Sequence, residues 1–318
     1  MVDLWKDTEI IKIVNEIKNK KRVNSFKSKI VPKFIFICGS QIVDENGKEL
    51  SEEELKNNIR YYIARTLNEQ MEIIDYGKNV KMVNCVFSEH LYNQDLAEDI
   101  LSFEEVLAEI SDYIIIVVES PGTYCELGAF VLNDKFMKKT IVINEDKPQF
   151  EKSFITRGPI KKVRDNNPEN VILHSGLDRI KISTQFKEKM DELSYKDVEI
   201  EVNKENKEQN LKTLIYEFAN IVELFQPIES YEMMKLHKKI FGNNDGIKNK
   251  NKHKIRTYQD VVILMEKMNI ITKKKGMYYL NGESTFFNVI ASIDRKEFNE
   301  LRLSYLSRIY KLAPQRME

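Results

Sequence analysis

The feature that most restricts the fold of this chain is an alternation of short apolar runs with helical patterns between residues 33 and 175. Continuous apolar runs of this length are typical of strands buried on both faces of a parallel sheet. Because helical patterns separate them, they predict an α/β fold with a doubly wound parallel sheet. The strongest run is DYIIIVVES at Asp112–Ser120, and the others are KFIFICGS, KMVNCVFSE, KTIVINED and NVILHS at Lys33–Ser40, Lys81–Glu89, Lys139–Asp146 and Asn170–Ser175.

Helical spacing of apolar residues fills the intervals between these runs. We expect helices over residues 51–67, 101–110 and 125–136, and Ser51 with Glu54 has the spacing of a capping box at the start of the first. An amphipathic pattern near the start of the chain predicts a helix there as well. The expected organisation is therefore an N-terminal helix over residues 1–30 and a sheet domain over residues 31–185.

The sequence changes character after about residue 180. Residues 191–207 are strongly charged and predict a solvated helix or a linker. Several helices and a short hairpin with a Lys-Lys-Gly turn follow, an order that favours a mostly helical winged-helix domain over residues 186–318. The expected elements are helices over Asn210–Leu224, Tyr231–Ile240 and Arg295–Leu312, and a helix, strand, turn and strand over Thr257–Asn281.

Composition excludes several protein classes. The 50 basic and 50 acidic residues give zero formal net charge, which argues against a globally basic nucleic-acid binder but allows a local basic patch. The three separated cysteines predict reduced thiols, and no apolar stretch has the length of a membrane span or a signal segment. We expect a cytoplasmic protein with no membrane partner. The absence of metal-ligand spacing and dinucleotide-binding fingerprints predicts neither metal nor cofactor.

Two turns follow predicted strands at their carboxyl ends. The first is Cys38, Gly39 and Ser40, and the second is Ser120, Pro121, Gly122 and Thr123, directly after Glu119. In doubly wound sheets, ligands bind at the carboxyl ends of strands, near the point where strand order reverses. If the two strands are neighbours, these turns face one crevice and their backbone N–H groups could contact a ligand. Turns of this composition also occur without a function.

Three glutamates and a cysteine accompany these turns. Glu126, near the start of a predicted helix, would stay ionised in the field of the helix end and could attack an anomeric carbon, or it is an ordinary first-turn acid. Glu119 would bind ribose hydroxyls or orient the nucleophile, or it faces solvent. Glu89 would reach the same crevice, or it caps the next helix. Cys125 has no histidine near it in the sequence, so a packed thiol is favoured over a nucleophile.

A basic segment near the end of the chain contains lysines, an arginine and tyrosines. It could grip phosphates and stack on bases, or it is a solvated loop and turn. The charged residues that we assign to a nucleic-acid or protein partner are Lys252, Lys254, Arg256, Lys273, Lys274 and Lys275.

Taken together, several stretches resemble one protein family. They are FIFICGS, FSEHLYNQDL, LSFEEVLAEISDYIIIVVESPGTYCELGAF, KSFITRGPI and ELRLSYL. These stretches are similar to a bacterial retron effector family, which carries an N-terminal nucleoside deoxyribosyltransferase-like domain and a C-terminal winged-helix-type domain.

The resemblance implies a catalytic role for Glu126, substrate contacts from the turns Cys38–Ser40 and Ser120–Thr123, and a loop at Gly158-Pro159 that closes over the pocket. It also implies an antiphage effector held inactive, as an oligomer, with the retron reverse transcriptase and its RNA–DNA hybrid, the msDNA. The implied activity is cleavage of a nucleotide, with NAD the favoured substrate. Because Cys125 precedes Glu126, hydrolysis is favoured over transfer. The alternative is a nucleotide-sensing or scaffold protein that does not cleave.

Overall fold

The chain forms two compact units, which are described separately. The sheet unit is residues 33–197, and the helical unit is residues 1–32 together with residues 198–318. The computed structural model describes residues 4–29, 31–44, 48, 50–56, 58–70, 72–75, 78–92, 96–147, 151–174, 186, 188–189, 197–202, 210–242, 255–282 and 284–317.

Strands and helices alternate along the sheet unit. Before it, the chain forms helix α1 (Thr8–Asn19) and strand β1 (Phe26–Ser28), which belong to the helical unit. The elements of the sheet unit, in chain order, are β2 (Lys33–Cys38), α2 (Glu52–Leu55), α3 (Ile59–Gln70), β3 (Glu72–Asp75), β4 (Lys78–Lys81), β5 (Val83–Val86), α4 (Ser88–Leu91), α5 (Ile100–Ile110), β6 (Tyr113–Val118), α6 (Pro121–Leu132), α7 (Asp134–Met137), β7 (Thr140–Glu145), α8 (Lys161–Asn166) and β8 (Val171–His174).

Within the described residues, five strands form one sheet in the order β5-β2-β6-β7-β8, and every adjacent pair is parallel. The chain first lays β5 on one side of β2 and then crosses to place β6 on the other side. The strand order therefore reverses between β2 and β6, which makes this pair the topological switch point of the sheet. The expected α/β architecture with a parallel sheet is confirmed.

Both faces of the sheet are covered by helices. Ile35 and Ile37 of β2 belong to the same core cluster as Ile63 of α3. On alternate positions, Phe36 points the other way and its ring meets that of Phe130 in α6, with centroids 6.0 Å apart. All six residues of β2 are buried, which explains why its sequence is continuously apolar instead of alternating.

Several local expectations need correction. The helix expected over residues 51–67 is two helices, α2 and α3, although the Ser51 capping box is present. The pair β3 and β4 forms an antiparallel hairpin that the apolar runs did not predict. The Gly158-Pro159 segment is not a loop, because it lies in a π-helical turn (Thr156–Ile160) that continues into α8.

The helical unit includes the N-terminal helix, since α1 packs against helices from the far end of the chain. Strand β1 pairs antiparallel with a strand at Val198–Ile200, which is β9. The charged segment of residues 191–207, expected as a solvated helix or a linker, therefore contains a strand. The elements after the sheet unit are β9 (Val198–Ile200), α9 (Leu211–Phe225), α10 (Ser230–Phe241), α11 (Tyr258–Lys267), β10 (Ile271–Lys274), β11 (Met277–Leu280) and α12 (Arg295–Leu312).

Helix α9 is the core of the helical unit, and its side chains are buried around almost its whole circumference. Strands β10 and β11 form the expected antiparallel hairpin. Ile228, between α9 and α10, adds an antiparallel bridge to Tyr278 of β11. The order is therefore helix, bridge, helix, helix and hairpin, followed by α12.

Candidate functional site

The two predicted turns meet at the switch point. Cys38–Ser40 follows β2, Glu119 and Ser120 follow β6, and these strands are hydrogen-bonded neighbours. The backbone N–H of Ser40 donates to Oε1 of Glu119 over 2.7 Å. The strands are neighbours, which is the condition under which we expected the two turns to face one crevice, and Glu119 joins the turns.

The Ser120–Thr123 turn is the N-cap of α6. Thr123 Oγ1 accepts the backbone N–H groups of Glu119 at 3.1 Å and Ser120 at 3.0 Å, and Ser120 Oγ accepts that of Thr123 at 3.3 Å. Pro121 stands in the first helical turn and has no N–H to donate. The expectation that this turn presents its backbone N–H groups to a ligand is therefore wrong for Ser120 and Thr123, because side chains of the turn accept these two groups. Pro121 and Gly122 are exposed beside them.

Glu126 lies in the second turn of α6 and is partly buried. Burial raises the pKa of its carboxyl group, while the Arg60 guanidinium lowers it and the Glu89 carboxylate raises it further. The expectation that the helix end keeps Glu126 readily ionised is therefore corrected. Its atom Oε2 is buried and has no hydrogen-bond partner among the described residues. Buried polar atoms normally have partners, so an exception at a switch point suits a ligand-binding atom.

Glu104 of α5 is a second buried carboxyl group at the site, and the sequence analysis did not single it out. Burial, and then the neighbouring charge of Glu126, raise the pKa of Glu104 to about 8. Glu104 therefore holds a proton at neutral pH, as expected when two carboxyl groups share one buried site. The available signal was its position on the buried face of α5, next to Phe103 and opposite the exposed Glu105.

Arg60 and Glu89 form a buried ion pair beside these acids. Nη2 of Arg60 donates to Oε2 of Glu89 over 2.7 Å, and Nη1 donates to Oε1. Burial raises the pKa of Glu89, but Arg60 outweighs burial and holds that pKa below its ordinary value. Glu89 does reach the charge environment of Glu126, although its carboxylate is held by Arg60.

Cys38 and Gly39 serve this arrangement in different ways. The Cys38 side chain is buried, and burial followed by the charge of Glu126 raises the pKa of its thiol. It is therefore a neutral thiol beside Glu126, and its sulfur is not exposed to a substrate. A Cβ atom on Gly39 would lie 2.9 Å from Cβ of Arg60, so glycine is required at this close approach. Cys125 is exposed on α6.

A cavity of about 430 Å³ opens next to the switch point. Glu119 and Tyr124 line its near side, and Asn144 and His174, from the ends of β7 and β8, line its far side. Lys147, also in the lining, pairs with Glu145 at 2.6 Å. This volume lies in the range of small-molecule sites. In the sequence, Asn144 and His174 could have been found from their positions near the carboxyl ends of two predicted strands.

The predicted basic surface lies in the helical unit. Lys273 and Lys274 are exposed on β10, and Lys275 with Gly276 makes the turn of the hairpin. Gly276 has a φ of +84°, a conformation that favours glycine. Arg256 is exposed just before α11, whereas Lys252 and Lys254 lie outside the described residues.

Comparison with known proteins identifies the family of the chain. The family model of the STM3845 retron effector protein matches residues 56–273, more than half of the chain. The chain belongs to this retron effector family. Arg60, Glu104 and Glu126 lie within the matched residues, whereas the match ends inside β10, before the turn of the hairpin.

Two relatives of this retron effector come from Escherichia coli. The retron Ec73 "putative ribosyltransferase/DNA-binding protein" is 28% identical over 280 residues, which cover 83% of this chain and 82% of that protein. The retron Ec86 protein of the same description is 38% identical over 94 residues, which cover 28% of this chain and 31% of that protein.

Two further properties concern the described part of the retron effector. No helix there has the length and apolar character needed to cross a membrane. In the same residues, no cluster of three or more His, Cys, Asp or Glu side chains is arranged to hold a metal ion.

Proposed function

We propose that this retron effector hydrolyses the N-glycosidic bond of a nucleotide, with NAD as its substrate, in antiphage defence. The observation that carries the proposal is the pairing of Glu126, whose buried Oε2 has no partner among the described residues, with the proton-bearing Glu104 at the switch point. Glycosidases combine one ionised carboxylate with one protonated carboxyl group in this way. The ribosyltransferase description of the relatives supports a reaction at a glycosyl bond.

In the proposed reaction, the Glu126 carboxylate attacks C1′ of the ribose or stabilises the oxocarbenium-like transition state. The C1′–N bond breaks and its electron pair leaves with the base. A neutral base needs a proton, which Glu104 donates, whereas the pyridinium ring of NAD takes up the electron pair and leaves as neutral nicotinamide. Water then adds its oxygen to C1′, and any bond between C1′ and Glu126 breaks, which returns the electron pair to the carboxylate. The proton of the water passes to Glu104 where Glu104 has donated its own, and otherwise to solvent. Glu119 holds the ribose hydroxyls or orients Glu126.

The charges at the site favour a cationic leaving group. The carboxyl groups of Glu89, Glu104 and Glu126 feel one another's charge, and the buried cation Arg60 is paired with Glu89. Glu119 adds a carboxylate at the neighbouring strand end, where it accepts the N–H of Ser40. The net field attracts a pyridinium ring and stabilises positive charge that develops on the ribose. We propose that Pro121 and Gly122, which are exposed, contact the substrate together with Gly39 and Ser40.

Replacing the candidate nucleophile tests the proposal. Glu126→Gln keeps the side chain's size and removes its charge, so nicotinamide release from NAD, followed by chromatography, should fall at least about 10³-fold. The control is Cys125→Ser, which changes the neighbouring exposed thiol and should keep the parent rate. Equal rates for Glu126→Gln and the parent would contradict the assignment. Tight NAD binding without base release by the parent would support a nucleotide sensor or scaffold instead.

We also propose that the helical unit is a winged-helix module. Its order of helix, bridge, helix, helix and hairpin is that of a winged helix, with β10–β11 as the wing. Three consecutive exposed lysines on the wing suit phosphate contacts without base readout. The proposed partner is the reverse transcriptase with its msDNA, which holds the effector inactive as part of an oligomer. Arg256, with Lys252 and Lys254, would extend the same contact.

A further inference from the structure

We infer that Arg60 is a positioning residue of the proposed glycosidase site, where it fixes the Cys38–Ser40 turn and places a buried positive charge beside Glu126. This inference rests on the proposed function. The side chain of Arg60 is 1% exposed, so it does not meet a substrate itself.

Contacts with the backbone show how Arg60 shapes the turn. Its Nε donates to the carbonyl of Ile37 over 2.9 Å, and its Nη1 donates to the carbonyl of Ser40 over 3.3 Å. The N–H of Ser40 in turn donates to Glu119 over 2.7 Å. One guanidinium therefore fixes, through Ser40, the position of a proposed ribose-binding carboxylate. Gly39 packs closely on the Arg60 side chain, so a side chain at this position would displace Arg60 or the turn.

The second part of the role is electrostatic. Groups from every element packed around Glu126 set its charge. Arg60 of α3 favours the ionised form, and so do contacts with Cys38 of β2 and Glu104 of α5, whereas Glu89 of α4 and burial oppose it. A buried carboxylate without a cation takes up a proton and can no longer attack. His90 influences the site through its effect on Glu89, and Glu119 is held by Ser40.

Two substitutions with opposite expected effects separate this role from general stabilisation. In Arg60→Met, Glu126 loses its cation, so its pKa should rise by about one unit or more. The acidic limb of the pH profile of kcat/KM should then move to higher pH, because the ionised form is the active one. In Glu89→Gln, Glu126 loses a like charge and keeps Arg60, so the limb should move to lower pH. Arg60→Lys keeps the positive charge, so the acidic limb of its pH profile should lie close to that of the parent.

The titration of Glu126 can be measured directly, as the carboxyl ¹³C chemical shift in labelled full-length protein against pH. The control is Arg65→Met, which removes an exposed arginine from the same helix and should leave the Glu126 titration unchanged. The inference is overturned if Arg60→Met and Glu89→Gln leave the Glu126 titration in place or move it in the same direction. If Arg60→Met does not fold, Glu89→Gln and Arg60→Lys still decide the sign. Because the measurement needs no turnover, absence of base release by the parent would contradict the proposed function and not this inference.

Discussion

At the level of single residues, the candidate site depends on how burial divides the roles of chemically identical side chains. Glu104 and Glu126 are both glutamates, yet burial and mutual repulsion leave the proton on Glu104. Glu89 stays ionised because Arg60 compensates for its burial. Glu119 is exposed and accepts a backbone N–H group. The environment therefore gives these carboxyl groups different pKa values, as the proposed two-carboxylate mechanism requires.

We predict that Glu104→Gln separates substrates by the charge of the leaving base. Release of a neutral purine base should fall about 10²–10³-fold at pH 7, because the proton donor is lost. Nicotinamide release from NAD should change only severalfold, since a pyridinium needs no proton. With the purine nucleoside, the parent rate should decline as pH rises through about 8, where Glu104 loses its proton.

Rates measured for both substrates between pH 5 and pH 10 check this expectation. Glu105→Gln, at the adjacent exposed position, should match the parent in both reactions. An equal loss for purine and pyridinium substrates in Glu104→Gln would show that Glu104 acts on the fold or on Glu126 and not as the acid.

At the level of elements, the two proposed functional surfaces lie at different kinds of strand end. The carboxyl ends of β2 and β6 bring polar side chains to a cleft between helices, whereas the turn of the β10–β11 hairpin carries charges out to solvent. Ser120 and Thr123 cap α6 with their side chains. This capping fixes where α6 begins, and so where Glu119 and Glu126 lie relative to the strand end. Lys273, Lys274 and Lys275 are exposed at this turn, which suits a surface for a phosphate backbone.

We predict that reversing the charges of the wing weakens binding of the nucleic-acid partner. The triple variant Lys273→Glu, Lys274→Glu, Lys275→Glu should lower affinity most at low salt, because fewer counterions are released. The slope of log K against log salt should become shallower by about 2–3. Binding of fluorescent msDNA, with and without reverse transcriptase, at several salt concentrations measures this slope.

The matched control reverses three exposed lysines of α10 in the same unit, Lys235, Lys238 and Lys239. It makes the same change in net charge away from the wing. If both triple variants lose affinity equally, total charge and not the wing determines binding. If neither does, the wing has no part in the partner complex.

At the level of the whole molecule, the chain starts and finishes in one unit. Trp5 donates its indole N–H to Glu232 over 2.8 Å, and Arg316 donates to the same carboxylate at 2.9 Å and 3.0 Å. The Trp5 ring also packs against the rings of Phe225 and Tyr305. Both ends of the chain are therefore tied to α10, and the sheet unit is an insertion between two parts of the helical unit.

We predict that Trp5→Ala destabilises the helical unit selectively. Removing a buried tryptophan should lower its unfolding free energy by about 3–5 kcal/mol, through lost burial and a cavity. Hydrogen exchange followed by mass spectrometry should show faster exchange in α9, α10 and α12, with β2 and β6 unchanged. Ile115→Ala, in the core of the sheet unit, should give the reverse pattern. Equal acceleration in both units for either variant would mean that they unfold together.

Local patterns in the sequence were sufficient for the elements and for part of the site. Continuous apolar runs predicted the strands of the parallel sheet, because a strand covered on both faces leaves no polar positions. Strand-end turns and the carboxylates beside them located Glu119 and Glu126, because parallel strands end at a common edge. The Lys-Lys-Gly turn predicted the hairpin, since glycine adopts positive φ without strain.

Strand order and burial, which depend on contacts between distant segments, required the three-dimensional structure. The chain crosses from β5 to β6, and this crossing determines where the switch point lies. Arg60 and Glu104 belong to helical patterns, and only the strand order brings them near Glu126. A helix pattern shows which face is apolar but not which buried charge it will meet. The joining of residues 1–32 to the last third of the chain had no local signal either. For Glu126 in "ESPGTYCE", the sequence supplied the residue type, whereas burial and the charges of residues from other helices set the pKa of its carboxyl group.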